Sequence, residues 1–141
     1  MKICFDLGHV FHSRANETEN AFVLRSLMNC LVDINISYIK LSKNPVKKLY
    51  ESGIYYDRTE IWYPIPALYA LGHGDCKSLS AALVAEYRIK KIRARPVFRF
   101  RANKLGGNDF HILVETPDKN GYDHKQFEDP SKKLGMGKEY R

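Results

Sequence analysis

Cysteine is scarce in this 141-residue chain: Cys4, Cys30 and Cys76 stand far apart and in no CxxC spacing. An odd, scattered set argues against a disulfide framework and against a cysteine-based zinc site, and fits a reducing compartment. A calcium loop of the DxDxDG kind is missing, so calcium is not indicated. Behind Lys2 the apolar run "ICF" stops at Asp6, and no secretory signal is expected. Unbroken apolar runs fall well short of the roughly 18 to 20 residues that a spanning helix needs, so no membrane segment is expected and a cytoplasmic setting is. Internal repeats, low-complexity stretches and linkers are also lacking, which leaves one domain over residues 1–141 as the expectation.

Basic charge is what the chain has in excess, with 23 Lys+Arg against 16 Asp+Glu and a formal net charge of +7. That balance favours an acidic partner. A solvated basic surface is the simpler reading than a dedicated nucleic-acid groove, so nucleic acid is disfavoured as a partner but left open. Apolar residues at 44% with charged residues at 28% are ordinary for a globular domain that builds its core without staples.

Along the chain, "MKICFDLGHV" reads as a short strand. "NETENAFVLRSLMNCLVDI" has helical spacing at Ala21, Leu24, Leu27, Met28 and Leu31, with Thr18 as N-cap and Cys30 as a packing residue. "ISYIKL" reads as a strand, "NPVKKLYESG" as a short helix, and the segment through Pro64 and Pro66 as extended. "PALYALG" makes a turn or two of helix closed by Gly72, and "DCKSLSAALVAEYRIK" a full helix. "IRARPVFRFRA" follows as a strand that Pro96 confines to an edge or bulge, then "FHILVET" and "YDHKQFED" as a hairpin. The basic tail "SKKLGMGKEYR" is expected to be only partly ordered. Helix followed by three strands predicts an α+β fold, an antiparallel sheet packed on one helix.

Asp75 is a good N-cap, which makes Cys76 the first residue of its helix. The positive helix end favours an anion, so a thiolate with a lowered pKa is expected there, with backbone N–H groups near it to hold an oxyanion. Gly72 and Gly74 would let another backbone approach. By itself, a cysteine at a helix start is more often inert.

Downstream residues change that balance. A nucleophilic cysteine needs a base and a group that orients the base. A hairpin pivoting at Asn120 would bring His111 and Asp129 opposite one another or within one residue of it. Asp109, two residues from His111 on the same strand face, is the rival orienting acid. His73 would line the site, His124 would lie towards the turn, and His9 and His12 have no recognisable partners.

"GHGDCKSLSAALVAEYR", "RARPVFRFR", "FHILVET" and "FEDPSKKLGM" together resemble the transglutaminase-like superfamily of cysteine enzymes. More narrowly they are similar to its small members from phages and prophages, as are "LYESGIYYDR" and the Trp62 segment, over about residues 45–137, with 1–44 as an N-terminal extension. The resemblance implies a papain-like core, with Cys76 as nucleophile, His111 as general base and acid, and Asp129 as orienting carboxylate. Trp62, His73 and Gly74 are assigned to substrate or oxyanion contact. Many relatives carry acidic residues after the cysteine. Here Lys77 and Ser78 stand on what would be the site rim, which puts substrate preference in question.

The implied reaction is attack of Cys76 on an amide to give a thioester, resolved by water in a peptidase or amidase and by a lysine amine in a crosslinking transglutaminase. Hydrolysis of a protein or peptide substrate is preferred, with no cofactor, no metal and no membrane, in the cytoplasm of a bacterium or a phage-infected host cell. The alternatives are a non-catalytic basic binding module of the same fold, a peptidoglycan hydrolase of related Cys/His type, and a zinc site on Cys76 and His111 that has no motif spacing behind it.

Overall fold

A computed structural model describes residues 17–102, 104–106, 108–118 and 121–137. The expected first strand, Cys4, His9, His12 and the pivot Asn120 lie outside the described residues.

Helix α1 runs Glu17–Leu41. "ISYIKL" continues this helix and does not form a strand. The buried positions Leu24, Met28, Leu31, Val32 and Asn35 keep one unbroken helical stripe, and packing against the rest of the fold overrides the weak helix aversion of Ile36 and Ile39. Thr18 lies inside the helix, not at its cap. Cys30 is exposed and packs nothing, because it falls on the face opposite that stripe. The span Ala21–Leu41 is also long and apolar enough, by length and composition alone, to cross a bilayer, a test that the core helix of a soluble protein passes as well. Met28 and Val32 on it are nevertheless fully buried in the core.

After α1, "NPVKKLYESG" forms only a single 3-10 turn at Leu49–Glu51. A two-residue strand β1, Tyr55–Tyr56, pairs in parallel with β2, His73–Gly74. Between them lies α2, Ile65–Leu71. Pro64 offers α2 no side-chain cap, and the buried Asn35 of α1 takes that role, its Oδ1 accepting the Ile65 N–H at 2.8 Å. Gly72 closes α2 at φ +80°, as the sequence predicts.

Helix α3, Cys76–Ile89, is the centre of the molecule, and every residue from Cys76 to Ala85 is buried. It lies between α1 and a three-stranded antiparallel sheet, β3 (Arg95–Ala102), β4 (Asn108–Asp118) and β5 (Gly121–Glu128), in that order. A helix covered on both sides explains why its sequence is rich in Ser and Ala: small side chains admit close approach, and no polar face is needed. The α+β architecture is as predicted, and β3 is an edge strand that tolerates Pro96. A short helix α4, Pro130–Lys133, follows β5.

The hairpin register differs from a pivot at Asn120. Val114 pairs with Glu128 and Pro117 with Lys125, but Asp118 pairs with Gly121. This irregularity places extra residues on the β5 side. Continued, the register sets Asp129 level with Leu113, diagonal to His111 and on the same face of the sheet.

Candidate active site

The diagonal suffices. His111 Nε2 lies 2.8 Å from Asp129 Oδ2, whereas Asp109, the rival, is exposed. Asp129 is fixed in turn as the N-cap of α4, its Oδ1 accepting the Lys132 N–H at 3.1 Å. Each carboxylate oxygen therefore has its own partner. With Nε2 committed to Asp129, Nδ1 is the nitrogen of His111 left for a substrate or a thiol.

Cys76 reaches this pair through the neighbouring residue on β4. The Ile112 backbone N–H addresses the Cys76 sulfur and favours its thiolate, while the Ile112 carbonyl accepts the Ser80 hydroxyl at 3.1 Å. Cys76 and Ser80 are one helical turn apart, so a single strand residue beside His111 is held by two consecutive turns of α3. Asp75 caps α3, taking the Lys77 N–H on Oδ1 at 3.1 Å and also drawing on the Ser78 N–H. It does not occupy the Cys76 amide, the donor an oxyanion would use.

The thiol itself departs from expectation. Burial, and then the nearby Asp75 carboxylate, push the Cys76 pKa up to about 11, and the Ile112 amide and Lys77 only partly oppose them. A helix N-terminus lowers a thiol pKa when the sulfur is solvated; here Cys76 is only 8% exposed and an acid sits beside it.

Lys77 and Ser78 are not on a rim. Lys77 is buried, its Nζ bonded to Asp75 Oδ2 and, at 2.9 Å, to the Thr59 carbonyl. Burial raises the Asp75 pKa, with Lys77 pulling against it. Ser78 is also buried, and its hydroxyl oxygen accepts the Tyr63 N–H at 2.8 Å. The two side chains thus pin both ends of residues 59–63 onto the start of α3, and the half-buried Trp62 between them packs against the core. Sequence reasoning missed this; the only available signal was a charged residue inside an otherwise apolar and small-residue helix.

His73 faces Asp57 and Tyr55, with Nδ1 3.4 Å from Asp57 Oδ2 but in no hydrogen bond, and its ring 5.6 Å from that of Tyr55. Gly74 does not open a path for substrate. A Cβ there would lie 2.6 Å from Leu68 Cδ1 and 3.3 Å from Ser78 Cβ, so its bareness serves the close packing of α2 on α3. A backbone strap joins the parts: Asp57 N–H donates to the Gly74 carbonyl at 2.9 Å and Tyr56 N–H to the Leu134 carbonyl at 2.8 Å. The β1 segment therefore holds the loop before Cys76 and the end of α4, after Asp129, to one another. No cluster of three or more metal-ligating side chains occurs among the described residues. The side chain of His124 lies outside them.

Comparison with known families finds a match. The model of the transglutaminase-like superfamily fits residues 38–124, more than half of the chain. This protein belongs to the transglutaminase-like superfamily. The matched span holds Cys76 and His111 and stops short of Asp129, whose place rests on the geometry above. No curated protein and no solved structure matches the chain. Transglutaminase-like proteins are usually enzymes that act through Cys, His and Asp in acyl transfer or proteolysis; in this member Cys76 opens α3, and His111 of β4 contacts Asp129 at the end of the β4–β5 hairpin.

Proposed function

We propose that the protein is a cysteine-dependent acyl-transfer enzyme that hydrolyses an amide bond through a thioester, with a protein or peptide as substrate. The observation that carries this reading is the 2.8 Å contact of His111 Nε2 with Asp129 Oδ2 on the strand residue adjoining the one that addresses the Cys76 sulfur. Asp129 holds the imidazole with its proton on Nε2, so Nδ1 accepts the Cys76 proton as the sulfur attacks the carbonyl carbon. A raised thiol pKa fits proton transfer concerted with attack, not a standing thiolate. The oxyanion takes the Cys76 N–H, with the Trp62 indole as the second donor in this reading. Collapse breaks the C–N bond, His111 returns the proton to the leaving amine, and water, deprotonated by His111, attacks the thioester to release the acid and the thiol.

The G-x-GDC, R-A-R-P and E-D-P-S stretches support placing the chain with the small phage-type members, acting in the cytoplasm where it is made. Intact mass spectrometry of protein mixed with a peptide library tests the chemistry. A covalent acyl adduct on Cys76 is expected, absent in Cys76→Ala, with turnover in His111→Ala down by about 10²- to 10⁴-fold. Release of free acid in the presence of a lysine amine supports hydrolysis; an amide product instead would make the enzyme a transglutaminase. Full activity in Cys76→Ala overturns the reading.

A further inference from the structure

One arginine beside the His–Asp pair lacks the carboxylate that its neighbour has. Alternation on β3 turns Phe98 into the core, so Arg95, Val97, Arg99 and Arg101 share the outer face of the sheet. Register matches each to β4: Arg95 to Glu115, Arg99 to His111 and Arg101 to Asp109. Arg95 is neutralised by two bonds to Glu115, at 2.7 and 3.2 Å. Arg99 faces His111 instead, and no carboxylate pairs with it among the described residues. Its guanidinium carbon sits 4.9 Å from the centroid of the Phe127 ring, reaching across β4 to an aromatic that is itself 48% exposed. Two nearby acids are committed elsewhere: Glu115 to Arg95, and Asp129 to His111 and the Lys132 amide. The result is an exposed cation, braced over a ring, one cross-strand step from the candidate base.

Resting on the acyl-transfer reading, we propose that Arg99 is the specificity residue of this site and selects amide substrates that carry a carboxylate within two residues of the bond cleaved. Cross-strand Cβ atoms lie about 5 Å apart, and an extended peptide advances about 3.4 Å per residue, so an anion on Arg99 and an amide at His111 fit a spacing of one or two residues. A planar guanidinium presents a fork that matches a carboxylate. Nucleic acid fits less well, because a phosphate backbone needs a row of uncommitted cations and the Arg95 end of this row is already neutralised.

Paired fluorogenic peptides that differ only in Glu against Gln, one and two residues from the labile amide, test this in the wild type and in Arg99→Gln. The Glu-over-Gln ratio of kcat/KM is expected to be roughly ten- to a hundredfold in the wild type and to fall towards one in Arg99→Gln, with the change in KM. In Arg99→Glu the preference should pass to a Lys-bearing peptide. Anisotropy of the same labelled peptides with Cys76→Ala reads recognition apart from chemistry. Arg99-dependent binding of the Glu peptide without turnover by the wild type would sink the acyl-transfer reading and keep this one; turnover with no Glu preference would do the reverse. A preference that survives Arg99→Gln, binding of neither peptide, or Arg99-dependent binding of single-stranded DNA with no Glu preference each overturns the proposal.

Discussion

At the scale of the residue, the Cys76 thiol is kept protonated. Its thiol pKa of about 11 lies above the usual value, so the free protein holds the proton through neutral pH and releases it only in strongly alkaline solution. Alkylation by iodoacetamide, followed by mass spectrometry at Cys76, should therefore climb steadily from pH 8 and be still rising at pH 10. A plateau already reached at pH 7 would show a standing thiolate–imidazolium pair and refute this. The sequence placed Cys76 correctly at the start of its helix and its ionisation wrongly. Asp75, Cys76 and the helix start were all legible, but the lowered pKa assumed a solvated sulfur. Burial depends on what packs over α3, and no local pattern carries that. His111 and Asp129 were legible for a different reason, since antiparallel strands keep residues of one parity on one face even when the register slips by two.

At the scale of the element, α3 organises the site from both sides. Its first turn binds the sheet through Ile112 and the 59–63 segment through Lys77 and Ser78. Lys77→Met would leave Asp75 buried with no counter-charge, a change that costs about 3–5 kcal/mol when a buried pair is broken. Adding Asp75→Asn keeps a capping oxygen for the Lys77 N–H and removes the stranded charge, so most of that loss should return. Urea unfolding of the wild type, the single and the double variant measures both steps, and equal stability of the two variants would contradict the account. Elements with strong local signals, α2 with its Gly72 stop and α3 with its Asp75 cap, were readable from sequence. "ISYIKL" was not, because six residues with β-branched content satisfy strand and helix templates alike and only the stripe begun at Leu24 decides between them.

At the scale of the whole molecule, α1 is apolar on more than one side. Met28 and Val32 are fully buried, yet Phe22, Ile34, Tyr38 and Leu41 are exposed. The burial of one face identifies α1 as a wall of the core that also satisfies the length and composition of a spanning helix. Val32→Asp places an unpaired charge in that core and should abolish cooperative thermal unfolding, whereas Ile34→Asp, 47% exposed, should alter stability by less than about 0.5 kcal/mol. Calorimetry of the two variants checks this, and equal damage from both would mean that the outer face is covered as well.

Ile112 gives one backbone group to Cys76 and the other to Ser80, and this makes the setting of α3 against β4 a local gauge: one turn of helix read against one residue of strand. Neither connection that flanks β4 enters that measurement. Lengthening the chain between β3 and β4, or between β4 and β5, costs only about 0.6 kcal/mol for each doubling of a flexible loop and leaves the gauge untouched. A slip of β4 by a single residue turns His111 to the other face and ends the alignment at once. The fold thus separates what can vary, the reach and chemistry of its loops, from what cannot, a fixed step between the first turns of α3 and the strand that carries His111.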